Sequence, residues 1–458
     1  MEEEARTSQG AFATYGEAVG WITGLLPMGI RPGLKRMEAF MEHFDHPERQ
    51  LKFIHVAGTN GKGSICAYLT NVLIKNGYDV GTFTSPYITK YSDRIQFNQQ
   101  NIPDEELVRL ANLIKPIADD LAETELGAPT MFEVTTVLAI LYFATVAYPD
   151  FVVWETGLGG RLDSTNVVVP VVSVITNVGH DHMELLGDTL EQVAMEKAGI
   201  IKPGVPVVSA VEQPEAIRVL ERVCTERKST LYLLNRQFRF QPVSLALNEH
   251  TLDFAGPFRE YRQVTIGLNG PHQLKNAATA LMTLEVLRQY YAVVLEDELV
   301  WDGFRSTTWP GRLEQVSESP RILLDGAHNP EGAEALAASL QSGMYAYGKL
   351  HMMVGMLASK NHLGYFRHIL PIVDTLILTE PAFRKRMAAA DLAQLAQILL
   401  PKCKKVPDLI VEPDLARALS LLKERTGPED LAVVSGSLYL ISDVRALVLS
   451  QTDTEKGW

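Results

Sequence analysis

Seven consecutive residues concentrate the chemistry of this chain: Gly58-Thr59-Asn60-Gly61-Lys62-Gly63-Ser64. They follow an apolar stretch of strand length, Lys52–Ala57, and open a helix-like segment, the setting a phosphate loop requires. Glycines let backbone N–H groups turn inward and approach phosphate oxygens. A helix N-terminus adds a favourable field, and the lysine neutralises β- and γ-phosphates. The Ser64 hydroxyl suits Mg2+. The spacing departs from GxxxxGK[ST], because Gly63 stands between Lys62 and Ser64. A glycine-rich turn without a ligand is the bland alternative, and the lysine and serine at a strand-to-helix junction weigh against it. Further along, Glu155 ends the predicted strand Phe151–Glu155, where open parallel sheets place ligands. Taken alone, that carboxylate reads equally well as a cap or an ion-paired group.

A parallel sheet must position these residues. Lys52–Ala57, Phe151–Glu155, Val171–Thr176 and Val205–Ser209 read as buried parallel strands, rich in Val and Ile and separated by helical stretches. From 231 to 267 the pattern shifts to short alternating strands, Thr251–Phe254 and Arg262–Ile266, which predicts a small antiparallel patch. A helix is expected from about His272 to Tyr290. Phe304–Gly311 holds Pro310 and Gly311 and reads as a break. Strands then resume at Arg321–Asp325, His351–Val354, Thr375–Leu378, Asp408–Val411 and Leu431–Val434. The expectation is two α/β domains, 1–303 and 312–458, joined by a linker at 304–311, with the chemistry in the cleft between them.

The 458 residues leave room for two or three domains, and 46% hydrophobic with 21% charged residues is ordinary for a globular chain. A disordered tail protein, a collagen-like repeat and a small disulfide scaffold are excluded. The net charge of −13 argues against broad nucleic-acid or membrane-surface binding. The odd set Cys66, Cys224 and Cys403, with no CxxC, points to a reducing compartment. The acidic start MEEEARTSQG lacks a secretory profile, and Val134–Tyr148 is interrupted by threonines and falls short of the roughly 20 residues needed to cross a bilayer. It reads as a buried helix, and the cytoplasm is the expected location.

The segment HVAGTNGKGS resembles the phosphate loop of the Mur ligase superfamily, and the chain is similar to folylpolyglutamate synthase/dihydrofolate synthase over nearly its whole length. Besides that loop, the blocks that carry the resemblance are Gly29–Arg36 (GIRPGLKR), Thr84–Tyr87 (TSPY), Glu155–Asn166 (ETGLGGRLDSTN), His180–His182 (HDH), Glu196–Ile201 (EKAGII), His272–Ala277 (HQLKNA), Pro310–Leu313 (PGRL), Asp325–Pro330 (DGAHNP) and Ser435–Leu438 (SGSL). Order and number make the match specific. It implies an α/β fold: a P-loop-containing, ATP-binding, Mur-ligase-like central domain with a small antiparallel patch, plus a C-terminal Rossmann-like glutamate-ligase domain.

The resemblance also implies site residues. Ser85, Glu155 and His182 would bind Mg2+ with Ser64, and His180 would be incidental. Lys197 corresponds to a lysine that is carbamylated in the resembled enzymes; an unmodified amine neutralising phosphate is the simpler alternative. Asn276 sits in a predicted helix, where its amide could read an adenine edge. Arg312 would meet ATP phosphate and Asp325 the nucleotide sugar. His328 and Ser437, with Asn329 and Ser435 beside them, would border the L-glutamate site. Arg31, Lys35, Arg36, Tyr87, Arg94 and Asp163 fall in blocks that border the folate site, and TSPY carries tyrosine where some relatives have histidine. Arg384, Lys385 and Arg386 read as a solvated face.

A carboxylate does not condense with an amine in neutral water because oxide is a poor leaving group. ATP solves this by making an acyl phosphate. The implied enzyme is an ATP-dependent amide ligase that adds L-glutamate to tetrahydrofolate (poly)glutamates and, as a further acceptor, to dihydropteroate. Lys62, Lys197 and Arg312 would be its catalytic cations, Mg2+ its metal and K+ a candidate monovalent ion. The resemblance implies a monomer acting on small molecules. A Mur-type ligase acting on a cell-wall nucleotide precursor is disfavoured, because only 57 residues precede Gly58. A nucleotide-dependent switch would leave DGAHNP, PGRL and the second domain without a role.

Overall fold

The computed structural model describes residues 11–29, 31–450 and 455. The acidic start, expected to carry no secretory signal, and Ile30 of the GIRPGLKR block lie outside the described residues.

The first sheet holds β1 (Phe53–Ala57), β2 (Val80–Phe83), β3 (Ile95–Phe97), β4 (Gln100–Asn101), β5 (Phe151–Glu155), β6 (Pro170–Ile175), β7 (Val207–Ser209) and β8 (Leu231–Leu233). Their order is β4-β3-β2-β5-β1-β6-β7-β8. From β2 to β8 the neighbours run parallel, and β3 and β4 extend the edge antiparallel. Every residue of β1 and β5 is buried, which is why both read as unbroken apolar runs rather than alternating ones. One face is covered by the helices Lys62–Lys75 and His272–Tyr291, the other by Met131–Tyr142 and the two N-terminal helices. Because β1 lies between β5 and β6, with Val56 opposite Glu155 and Ala57 opposite Ile175, the chain leaves all three strands at one edge. Gly58, Glu155 and Thr176 emerge there side by side.

Three strands, β9 (Arg239–Ser244), β10 (His250–Ala255) and β11 (Glu260–Ile266), make the antiparallel patch. Leu231–Leu233, expected in that patch, instead pairs parallel with β7. Three residues are too few to show a period, and only the tertiary partner decides their sheet. The apolar stretch from Val134 is a buried helix that begins earlier, at Met131, under a Thr130–Glu133 capping box, and then widens to a π-turn over Phe143–Ala147.

The second sheet joins β12 (Glu314–Glu318), β13 (Arg321–Leu324), β14 (Leu350–Val354), β15 (Thr375–Leu378), β16 (Asp408–Val411) and β17 (Leu431–Ser435) in the order β12-β13-β17-β14-β15-β16. All pairs except β12–β13 are parallel. Phe304, expected to begin the linker, belongs to the helix Asp297–Ser306 and is buried against Tyr68, with ring centroids 5.1 Å apart. The passage between the two sheets therefore starts after Ser306. Among the described residues, no helix is long and apolar enough to cross a membrane.

Candidate active site

A cleft of about 440 Å³ opens at the carboxyl edge of the first sheet and is lined from both sheets. Its floor is the predicted phosphate loop, Gly58–Ser64. The Asn177 amide oxygen accepts the N–H groups of Thr59 (3.0 Å) and Asn60 (2.8 Å), while the Thr176 hydroxyl donates to the Asn60 carbonyl (2.5 Å). These bonds hold the first half of the loop. The N–H groups of Gly61, Lys62, Gly63 and Ser64 have no protein acceptor among the described residues and are left for a ligand at the helix N-terminus. Lys62 folds back, its Nζ donating to the Gly58 carbonyl at 3.0 Å. Glycine is required at two positions. A Cβ at Gly58 would lie 1.8 Å from Thr176 Oγ1, and Gly61 has φ +83° with Asn276 Oδ1 2.6 Å from where a Cβ would be. Asn276 and Gln273 belong to the same helix; the Asn276 amide donates to Gln273 Oε1 (2.9 Å), and the Gln273 amide donates to the Ser64 hydroxyl (3.2 Å).

Facing the loop, Glu155 is buried and accepts the Ser85 N–H at 2.8 Å. Burial raises its carboxyl above the usual range, against the pull of Lys62, the Ser85 N–H, Arg312 and Arg94. Ser64, Ser85 and Glu155 thus offer oxygen donors in one cleft, the chemistry a hard divalent cation prefers. Among the described residues, no three His, Cys, Asp or Glu side chains gather as a metal cage, so phosphate oxygens and waters would have to complete any shell. His182 lines the same cleft, yet its Nε2 lies 3.3 Å from Lys360 Nζ. Burial and then Lys360 push its imidazole down to about 4. Lys197 is 2% exposed, with no carboxylate paired to it among the described residues. Burial, reinforced by Lys62, pushes its amine down to about 7.

The second sheet contributes Arg312, Asp325 and His328 to the cleft. Arg312 Nη1 donates to the Gly311 carbonyl at 3.2 Å, and a Cβ at Gly326 would come within 2.3 Å of that nitrogen. Asp325 accepts the N–H groups of Leu313 (3.1 Å) and Ala327 (3.0 Å), so both its oxygens shape the loops that carry Arg312 and His328. His328 Nδ1 meets the Gly326 carbonyl at 2.8 Å, and its Nε2 lies 3.2 Å from Asp181. Asn329 caps the helix Pro330–Gln341, and its amide also reaches Asn60 of the phosphate loop at 3.0 Å. Ser437 does not line the cleft; its hydroxyl caps the helix Leu438–Val448 through the Tyr439 N–H. Ser435 donates to the Ala327 carbonyl at 3.2 Å.

The residues expected near a folate lie apart from the cleft lining. Arg31 is exposed and donates to the Ala128 carbonyl at 2.9 Å. Arg36 is committed to Glu133 at 2.9 Å in a largely buried ion pair, and Lys35 is exposed. Arg94 is buried, its guanidinium 5.0 Å from the Tyr87 ring centroid, and its Nε is buried without a hydrogen-bond partner among the described residues. Asp163 is occupied by the N–H groups of Leu158 and Thr165 and by the Thr165 hydroxyl, so it holds the GLGGRLD turn together. Arg384 is exposed and donates to the Leu26 carbonyl at 3.3 Å, and Arg386 pairs with Glu380.

Sequence reasoning missed Asn177, Gln273, Asp181 and Lys360. Gln273 and Asp181 lie inside quoted blocks, and adjacency was the only signal for them. His180, read as incidental, hydrogen-bonds Glu331 of the second unit at 3.1 Å.

A phosphate loop on a parallel sheet, facing an arginine and a histidine from a second parallel sheet, defines a two-part nucleotide-cleft ligase, and the comparisons agree. Residues 56–284 match the Mur ligase middle domain and residues 311–438 the Mur ligase glutamate ligase domain. The chain is 39% identical over 440 residues to dihydrofolate synthase/folylpolyglutamate synthase of Bacillus subtilis, covering 95% of this chain and 99% of that one. The fold superimposes on folylpolyglutamate synthase of Mycobacterium tuberculosis complexed with ADP and AMPPCP with a TM-score of 0.87 at 27% identity, over 96% of this chain and 100% of that one. Escherichia coli FolC in complex with DHPP and ADP gives 0.83 at 26% identity, over 96% and 99%. This chain belongs to the folylpolyglutamate synthase/dihydrofolate synthase family of Mur ligases, whose members are ligases that form carbon–nitrogen bonds.

Proposed function

We propose that the cleft joins L-glutamate to the carboxylate of a reduced folate or its polyglutamate, and to dihydropteroate, at the expense of ATP. The observation that carries this reading is the convergence on one cleft of the open N–H groups of Gly61–Ser64 and Lys62 with Arg312 and His328 from the second sheet. The Bacillus subtilis relative bears both synthase names, and the compared structures hold ADP, AMPPCP and DHPP.

In this reading Gly58–Ser64 cradle the triphosphate, and Asn276 and Asp325 border the nucleoside. The acceptor carboxylate oxygen attacks the γ-phosphorus, the bond to the bridging oxygen breaks, and ADP leaves. Lys62 and Arg312 stabilise the charge that develops on the equatorial oxygens. The glutamate amine then attacks the acyl carbon, loses a proton, and inorganic phosphate departs. Glu155, Ser64 and Ser85 would hold Mg2+, which supplies charge neutralisation at the β- and γ-phosphates. His182 would join that set through Nδ1, since its Nε2 lies against Lys360. Lys197 is the carbamylation site in this reading: a buried amine near 7 keeps a neutral fraction able to attack CO2. His328 orients L-glutamate, with Ser437 acting on that site through the helix it caps. Arg94 and Tyr87, with Arg31 at the rim, border the acceptor, and Asp163 shapes the adjoining turn. A cytoplasmic location fits three free cysteines, and the reading takes the chain as a monomer. K+ enters the reading as an activating ion, checked by replacing it with Na+.

The test is ATP turnover with each co-substrate omitted in turn, with product masses read after separate incubations with dihydropteroate and tetrahydrofolate. Turnover requiring both L-glutamate and a folate supports the ligase. Turnover indifferent to both would mean a nucleotide switch.

A further inference from the structure

We infer that Lys360 is a positioning residue for glutamate transfer: by pairing with Asp181 across the cleft it draws the second unit onto the first and sets His328 and Asn329 over the phosphate loop. The inference rests on the ligase reading above.

Lys360 stands in the turn between β14 and the helix His362–Ile369, a turn fixed by its own N–H to the Leu357 carbonyl (3.2 Å) and by Asn361 capping that helix. Its side chain is 7% exposed and reaches out of its own unit, with Nζ 2.7 and 3.0 Å from the two Asp181 oxygens. The same carboxylate takes His328 Nε2 and Asn329 Nδ2, each at 3.2 Å. Asn329 in turn exchanges amide hydrogen bonds with Asn60 at 3.0 and 3.2 Å. One aspartate of the first unit therefore gathers three donors of the second, and only Lys360 among them is a permanent cation. Lys360 does not line the cleft, whereas Lys62 and Arg312 do. That separates holding the units from neutralising phosphate. Nearby, Glu331 accepts the His180 N–H at 2.9 Å and supplies a further tie. Removing the ammonium would leave Asp181 largely buried without its lysine ion-pair partner, the situation in which interfaces open.

The experiment uses the full chain carrying K360M, K360R, D181N and the K360M/D181N pair. Initial rates are measured against L-glutamate, AMPPCP affinity by titration, and the radius of gyration by X-ray scattering without ligands. K360M should raise KM for L-glutamate at least tenfold, with a clearly smaller loss of AMPPCP affinity, because the phosphate loop stays on the first unit while Arg312 and Asp325 move with the second. K360R should recover most of that loss, and the pair should be no worse than the worse single variant. K360M should also scatter as a more open particle. An unchanged KM, an equal loss of AMPPCP affinity, multiplying defects in the pair, or unchanged scattering would each overturn the clamp. A wild-type enzyme with no glutamate-dependent turnover would refute the ligase reading instead, and the scattering comparison would still decide the clamp.

Discussion

Trp309 lies against Gly63: a Cβ on that glycine would come 2.8 Å from the indole Nε1 and within 3.3 Å of two further ring carbons. The glycine that interrupts the usual lysine–serine spacing is thus a seat for the residue that leads the chain to the second sheet. Gly63→Ala must push the indole away, and overpacking of this kind costs about 1–3 kcal/mol. Nucleotide affinity measured by calorimetry with AMPPCP should fall about tenfold. The pair Gly63→Ala/Trp309→Ala should recover part of it, because the obstructing ring is gone.

Lys62 spans the loop to Gly58 and lines the cleft. Lys62→Ala should lower kcat by about 10²–10³-fold, the size expected when one group that stabilises transition-state charge is lost. The melting temperature should hold, because the loop keeps its bonds to Asn177 and Thr176. Near-normal turnover would refute the loop assignment.

Burial raises the Glu155 carboxyl above the usual range, so ionising it costs stability. The native state binds this proton more tightly than the unfolded chain. The penalty therefore grows as pH rises from the ordinary carboxylate range through the raised value, and is absent in acid. Glu155→Gln should keep or raise the melting temperature at pH 7 while ligation falls by two orders of magnitude or more, read from paired thermal scans and rates at varied Mg2+.

For Lys197 the sign is opposite. Burial and Lys62 depress its amine from 10.5 to about 7, so between those values the unfolded chain holds the extra proton and stability rises with pH. The neutral amine that appears above 7 is the form that captures CO2. A carbamate resonance from ¹³C-bicarbonate should be seen at pH 8, vanish at pH 6, and be missing from Lys197→Met. A silent spectrum at pH 8 would leave the lysine as a plain phosphate counter-charge.

Arg36 pairs with Glu133, which also closes the capping box of the helix Met131–Tyr142 through the Thr130 N–H at 2.7 Å. Arg36→Met strands a buried carboxylate, and unfolding in urea should show a loss of about 3–5 kcal/mol. The reading of Arg36 as a substrate contact predicts a kinetic defect without that loss.

Local order in this protein was legible from residue types alone. Strands such as Phe53–Ala57 and Phe151–Glu155 announce themselves because full burial demands continuous apolar side chains. The phosphate loop is legible for the same reason, since a helix N-terminus, glycines and a lysine act within a few residues of one another. What the sequence could not determine is which distant groups meet. Asn177 holds Thr59 and Asn60 from 118 and 117 residues away, and Lys360 reaches Asp181 across 179. Neither shows a period or a spacing, because hydrogen bonds and ion pairs depend on separation in space. Asp163 and Ser437 illustrate the limit from the other side: their types suit ligand binding, yet the tertiary fold has already assigned their oxygens to backbone N–H groups. A side chain's chemistry is written in its type. Whether that chemistry remains available is decided by what the folded chain places within 3 Å of it.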